Sequence, residues 1–281
     1  MRTKTLNLNL NNRLVDLSTP IVMGIVNVTP DSFFKGNRFV TDKSILQAVE
    51  KMNLDGAGII DIGGYSTRPS AEIITQNEEI RRVSEALEII LKKFPDTLIS
   101  VDTFRSGVVR HVVKNFGVSM INDVSGGTLD DLMFETIAGL KVSYVLMHMR
   151  GTPQTMQLNL KYEDVVSEVM HFLEKRLAQL HLLGVTDVVI DPGFGFAKTL
   201  EQNYKLLNKL NYFQQLGVPL LAGISRKSML TKVLGIETNE ALNATTAANM
   251  LALIGGASIL RVHDVKEAIQ AIRIYKKYKE D

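Results

Sequence analysis

"TDVVIDPGFGFAKT", residues 186–199, poses the question on which the fold turns. A short apolar run climbs to Asp191, and Pro192 and Gly193 follow at once. A single aspartate at the end of a buried strand means little, because it is most often the N-cap of the next helix. Its meaning depends on how the other strands end.

Working outward from Asp191, the same kind of run recurs as "IVMGIV" (21–26), "AGIIDIGG" (57–64), "LISVD" (98–102), "VSMIND" (118–123), "KVSYVLMH" (141–148), "VPLLAGIS" (218–225) and "ASILRVH" (257–263). Continuous apolar runs of this length suit strands buried on both faces, as in a parallel sheet. Between them lie helical stripes: Ile80, Val83, Leu87 and Ile90; Val166, Val169, Leu173, Leu177 and Leu180; Val265, Ala268, Ile269 and Ile272. Gly56, Gly117, Gly139, Gly184 and Gly217 each follow a helical segment and precede a strand, where a left-handed C-terminal cap is expected.

Eight strand–helix units with short returns predict a closed (β/α)8 barrel, with an open doubly wound sheet as the competing fold. "TLNLNL" and "RLVDL" alternate around Asn11-Asn12 and predict an N-terminal hairpin at the bottom of the barrel. The whole chain, 1–281, reads as a single domain, with the hairpin over 1–20 and the barrel over 21–275.

Composition narrows the function classes. The 281 residues are 45% apolar and 22% charged, which is ordinary globular composition. Net charge is +2, so neither nucleic acid nor an acidic membrane is expected as a partner. There is no cysteine, which excludes disulfides and thiolate metal sites. No apolar run reaches the ~20 residues that span a bilayer, and a cytoplasmic protein is expected.

In a barrel, the C-terminal strand ends form the active face. Here they carry Asn27, Asp61, Asp102, Asn122, His148, Asp191, the Ser225-Arg226-Lys227 group, then Arg261 and His263. Taken singly, Asp61 reads as an N-cap or a support for its loop, and His148 as a satisfied core histidine. Taken together, convergent polar groups on one barrel face need a ligand or each other to offset desolvation. Asp102, Asn122 and Asp191 are acceptor-rich and suit a flat heterocycle that offers adjacent amino and ring N–H donors. Lys227, Arg261 and His263 sit on the last two strands, where barrels commonly bind phosphate. One end of the site should hold a donor-rich ring and the other an anion. Two long loops, from Val28 to about Thr41 and from Gly63 to about Thr75, are expected lids. They bring Asp31, Ser32 and Phe33, and Ser66, Thr67, Arg68 and Pro69.

These residues carry a resemblance. "GIVNVTPDSF" (24–33), "DIGGYSTRPS" (61–70), "SVDTFRS" (100–106), "IND" (121–123), "DPGFGFAKT" (191–199), "SRKS" (225–228) and "RVHD" (261–264) resemble the dihydropteroate synthase family, in order and over nearly the whole chain after the hairpin. The resemblance implies a barrel transferase of folate biosynthesis, a sulfonamide target, homodimeric and Mg²⁺-dependent. Such enzymes join 6-hydroxymethyl-7,8-dihydropterin diphosphate to 4-aminobenzoate and release pyrophosphate. It implies that Asp102, Asn122, Met147, Asp191, Phe196, Lys227 and Arg261 bind the pterin. It likewise implies that Asn27, Thr67, Arg68, Arg261 and His263 face the diphosphate, with Mg²⁺ beside Asn27. Phe33, Thr67, Pro69 and Ser228 would shape the aminobenzoate site, and Arg68 would help to close it. Asp102, Lys227, Asn27 and Arg261 would carry the chemistry, a dissociative reaction through a pterin-methyl cation.

The chain departs from the family pattern in both loops. After "NVTPDSF" it reads Phe34-Lys35-Gly36-Asn37, where the family usually reads Ser-Asp-Gly-Gly, and Ser70 stands where glycine is usual. A Lys35→Asp variant is expected to keep pterin affinity and to change the aminobenzoate Michaelis constant. Three alternatives remain beside this reading. One is a pterin-dependent methyltransferase, which needs neither the first loop motif nor a diphosphate cluster. Another is a barrel that binds pterin without turnover. The third is a phosphate-binding aldolase using Lys227.

Overall fold

The computed structural model describes residues 6–29, 42–66, 73–158 and 160–280. The sequence readings for Asp31, Ser32, Phe33, Lys35, Thr67, Arg68, Pro69 and Ser70 fall outside these residues.

Two short strands, β1 (Asn7–Leu10) and β2 (Arg13–Asp16), pair antiparallel. Asn11 and Asn12 between them have φ of 52° and 61°, the left-handed pair that a type I′ hairpin turn requires. Eight parallel strands follow: β3 (Ile21–Asn27), β4 (Ile59–Gly63), β5 (Ile99–Asp102), β6 (Met120–Asp123), β7 (Ser143–Met147), β8 (Val188–Asp191), β9 (Leu221–Ala222) and β10 (Ile259–Val262). They pair in the order β8-β7-β6-β5-β4-β3-β10-β9. The ring closes where Ile190 bridges Leu220 in parallel, with the Ile190 amide 2.9 Å from the Pro219 carbonyl. That closure rules out the open sheet.

Around the strands lie α1 (Asp42–Asp55), α2 (Gln76–Lys93), α3 (Ser106–Phe116), α4 (Met133–Leu140), α5 (Val165–Leu182), α6 (Leu200–Asn208), α7 (Ser228–Leu234), α8 (Leu242–Ile254) and α9 (Val265–Tyr278). The three predicted stripes fall on α2, α5 and α9 and turn inward. The short α7 is inserted between β9 and α8, beyond the regular unit. Gly139 differs from expectation. Helix α4 runs through it and ends at Lys141, which takes the left-handed cap with φ 54°. Among the described residues, no helix is long and apolar enough to cross a membrane.

The period-two alternation of a strand explains where the site lies. Val22 and Val26, Ile60 and Ile62, and Leu260 and Val262 point outward and pack under the helices in the main core. The alternate residues Met23, Ile59, Met120, Val145, Val189, Leu221 and Ile259 point inward and form the bottom layer of the barrel. Leu8, Leu10 and Leu17 from the hairpin plug that layer from below. Two residues further along each strand, the inward positions change character. They are Ile25, Asp61, Asn122, Met147, Asp191, Gly223 and Arg261, with Asp102 two residues beyond the buried Ser100. The lower barrel is thus sealed with apolar side chains and the upper barrel is lined with charge.

Candidate active site

A cavity of about 470 Å³ opens at the C-terminal end of the barrel, within the range of small-molecule sites. Asn27, Asp102, Phe196, Lys227, Ser228, Arg261 and His263 line it, together with Ile25, Tyr65 and Gly223. Strand register sets Asn27 beside Gly63, Gly63 beside Asp102, and Asp102 beside Asn122, with Met147 beside Asp191 on the next pair.

A buried ionic network forms the floor. Arg261 donates from Nε to Asp61 Oδ2 at 2.7 Å and from Nη2 to Asp102 Oδ2 at 2.8 Å. Asn122 Nδ2 donates to the same Asp61 oxygen at 3.0 Å. This corrects the sequence reading of Asp61. Among the described residues it caps no helix and bonds no loop, because it lies mid-strand on the inner face, fully buried. Its alternation with the outward Ile60 and Ile62 is a signal for this position that is present in the sequence. Burial pushes the Asp102 carboxyl up to about 7, against the pull of Arg261. Removing one partner from such a network leaves an uncompensated buried charge, at a cost of about 3–5 kcal/mol.

Asp191 sits at the end of β8, and its Oδ1 accepts from the Gly193 amide at 2.7 Å. Burial raises its pKa, and Lys227 partly offsets this. The turn that follows explains Pro192-Gly193. Gly193 has φ 74°, and a Cβ there would stand 2.0 Å from the His148 carbonyl oxygen. Only glycine permits that approach. The Lys198 ammonium then ties the turn down from inside. It lies 2.9 Å from the Gly193 carbonyl, 2.9 Å from the Phe196 carbonyl and 3.0 Å from His148 Nδ1. Lys198 was not singled out in the sequence. Two of its partners lie within five residues, but His148 comes from the end of β7, and no local pattern announces that contact. His148 is the core histidine that the bland reading described, bound to Lys198 and packed edge-on against Phe172.

Lys227 lies at the cavity wall. Its ammonium bonds the Phe194 carbonyl and stands 4.5 Å from the centre of the Phe196 ring. Burial lowers its pKa to about 8, with Asp191 opposing the shift. The adjacent Arg226 turns away, paired in bidentate fashion with Asp264 at 2.8 and 2.6 Å. His263 adds no positive charge beside Arg261. Burial, with Arg261 beside it, lowers its pKa to about 3. Ser225 Oγ accepts from the His263 amide at 3.2 Å and lies 3.0 Å from His263 Nδ1. Either group can donate in that contact, because a hydroxyl oxygen accepts twice.

Met147 belongs to a small apolar cluster at the barrel mouth with Val124, Met149, Met156 and Ala197, against which Phe196 packs. The side-chain oxygen of Asn27 lies 3.1 Å from where a Cβ on Gly63 would stand, so glycine leaves room beside that oxygen. Among the described residues no cluster of three His, Cys, Asp or Glu could hold a metal. One hard amide oxygen suits a cation held mainly by phosphate oxygens and water, as Mg²⁺ commonly is. It does not suit an all-protein cage.

Fold and site together define a (β/α)8 enzyme with an acceptor-lined ring pocket beside a cationic wall. A protein-family model described as pterin binding enzyme matches residues 23–263. The dihydropteroate synthase of Haemophilus influenzae is 42% identical over 269 residues, covering 95% of this chain and 96% of that protein. The Escherichia coli K12 dihydropteroate synthase is 42% identical over 265 residues, with 92% of each chain covered. Among solved structures, the Yersinia pestis dihydropteroate synthase, in complex with a sulfonamide drug, superimposes with a TM-score of 0.93 at 36% identity. It covers 98% of this chain and 100% of its own. The Xanthomonas albilineans dihydropteroate synthase with 4-aminobenzoic acid gives 0.90 at 37% identity, covering 99% and 100%. The chain belongs to the dihydropteroate synthase family of pterin-binding enzymes.

Proposed function

We infer that this protein is a dihydropteroate synthase, a transferase of folate synthesis. It moves the 7,8-dihydropterin-6-ylmethyl group from its diphosphate to 4-aminobenzoate, giving 7,8-dihydropteroate and pyrophosphate. The observation that carries this reading is the barrel-top cavity lined by Asn27, Asp102, Lys227 and Arg261, with Asn122 beside Asp102 and the Asp191 carboxylate beside Gly223.

Asp191 and Asn122 accept from the amino and ring N–H groups of the pterin. Lys227 donates to its oxygen and ring-nitrogen edge, while Phe196 and Met147 pack on the ring and its mouth. The bond from the pterin methylene to the diphosphate oxygen breaks first, and its electron pair leaves with the diphosphate. Positive charge spreads over the reduced ring, where the Asp102 carboxylate stabilises it in a water-poor cavity. Arg261 and the neutral His263 stabilise the departing anion. The aromatic amine then attacks the methylene and loses a proton. Asn27 would hold Mg²⁺ against the diphosphate, where the ion supplies charge neutralisation to the leaving group. Ser228, at the mouth, with Phe33, Thr67 and Pro69, forms the aminobenzoate site, and Thr67 and Arg68 reach the diphosphate. No protein nucleophile is required.

The same reading makes the protein a sulfonamide target, cytoplasmic, with small molecules rather than nucleic acid or membrane as partners. It also makes the protein a homodimer, for which the exposed Val233 and Leu234 on α7 and Leu251 and Ile254 on α8 offer an apolar face. Light scattering on the purified protein tests that assembly, and a monomer's mass would refute it.

The deciding experiment is pyrophosphate release from purified protein with Mg²⁺, the dihydropterin diphosphate and 4-aminobenzoate, each omitted in turn. Release that needs all components and yields dihydropteroate is the expected result. Pterin binding without release would instead support a binding-only barrel.

A further inference from the structure

Asp61 has no place in the chemistry above, yet it is the most enclosed charge in the upper barrel. Its side chain is fully buried on the inner face of β4. One oxygen, Oδ2, receives both Arg261 Nε at 2.7 Å and Asn122 Nδ2 at 3.0 Å. The other, Oδ1, is buried with no hydrogen-bond partner among the described residues.

A carboxylate is acceptor-only, and this fixes the amide of Asn122. If that amide turned over, its oxygen would face Asp61 Oδ2, two acceptors against each other in the interior. Asn122 must therefore give its NH2 to Asp61 and turn its carbonyl oxygen away. That oxygen takes no hydrogen bond from a described residue. Asp191 shows the same pattern, with Oδ1 held by the Gly193 amide and Oδ2 on the side of Gly223. Asn122 and Asp191 thus each keep one oxygen clear of any described donor, and at Asn122 a buried carboxylate sets that arrangement. The same carboxylate holds Arg261 by Nε, so that the guanidinium spans from Asp61 to Asp102 by one edge. Its Nη1 corner makes no hydrogen bond to a described residue.

We propose that Asp61 is a positioning residue that sets the hydrogen-bond polarity of the ring pocket, turning Asn122 to present an acceptor and steering Arg261. The proposal rests on the functional reading above and names what selects a ring with adjacent N–H donors.

The consequence is counter-intuitive at Asn122. If that residue merely offered an oxygen to the ring, Asn122→Asp would serve as well or better. If Asp61 sets its orientation, N122D puts two carboxylates face to face, and ring affinity falls by about 10-fold or more. N122A removes the oxygen without a clash and leaves Arg261 on Asp61. N122D should therefore bind no better than N122A, although it keeps an oxygen for the ring.

The probe is 6-hydroxymethyl-7,8-dihydropterin, which lacks the leaving group, titrated by calorimetry into the original protein, N122D and N122A. Thermal melting is recorded for each. N122D that binds no better than N122A is the expected result, and so is an unfolded N122D beside a folded N122A. N122D that binds as well as the original protein overturns the proposal. So does N122A that binds as well as the original protein. An original protein that binds no pterin overturns the functional reading and the proposal with it, whereas an original protein that binds pterin beside N122D that binds better than N122A overturns the proposal alone.

Discussion

Lys198 Nζ lies 3.0 Å from His148 Nδ1 in the interior, joining the end of β7 to the turn after β8 across 50 residues of sequence. Either nitrogen can supply the proton of this contact. Burial drives the pKa values of both groups well below their ordinary ranges. The arrangement fixes the turn that brings Phe196 to the cavity wall and the Phe194 carbonyl to Lys227.

Replacing Lys198 by Met should therefore act on stability and on ring binding together. The Gly193 and Phe196 carbonyls lose their donor, at roughly 1–3 kcal/mol for each buried unpaired group. We expect a loss of about 2–4 kcal/mol in denaturant unfolding, with a raised Michaelis constant for the pterin substrate. A variant as stable as the original would show that the ammonium is dispensable to the turn.

The pH profile follows from two buried groups of opposite sign. Asp102 must be ionised to stabilise a cation, and its carboxyl titrates at about 7. Lys227 must be protonated to donate to the ring, and its ammonium titrates at about 8. Turnover should rise as pH passes 7 and fall as it passes 8. Pterin affinity in Lys227→Met should stay flat where that of the original protein declines on the alkaline side. An alkaline decline that survives in the variant would assign that limb to another group. For stability the sign runs the other way. Lys227 is depressed relative to its ordinary value of 10.5, so between about 8 and that value the unfolded chain holds the extra proton. Its contribution to folding therefore grows more favourable with rising pH in that window.

Gly223 separates folding from recognition. A Cβ there would stand 3.7 Å from Asp191 Oδ2 and 4.0 Å from Arg261 Cβ, which is ordinary contact. Gly223→Ala should therefore leave stability within about 1 kcal/mol. The added methyl enters the cavity between those two side chains, where overpacking costs about 1–3 kcal/mol. We expect the pterin Michaelis constant to rise about 10-fold, with the melting temperature nearly unchanged. Equal losses in both, or in neither, would remove Gly223 from the ring pocket.

The eight strands and their polar ends were legible in the sequence because alternation and apolar runs are local signals. The Asn11-Asn12 hairpin was legible for the same reason, as a two-residue turn declares itself chemically. Gly139 misled because a glycine near a helix end marks a cap only when the helix stops there, and neighbouring packing carried α4 two residues further. Asp61 was read as a cap because strand-end aspartates usually are. Its partners, Arg261 and Asn122, lie 200 and 61 residues away, and no local pattern names them.

The sequence by itself determined a barrel, which face of it is active, and which residue types crowd that face. Strand period and turn chemistry act over a few residues and need no partner to be read. Only the tertiary structure decided the charges and orientations of those groups. Asp102 raised, Lys227 lowered, His263 neutral and Asn122 turned by Asp61 all arise from desolvation and from hydrogen bonds between distant strands. Those interactions come into being when the ring of strands closes and water leaves the interior.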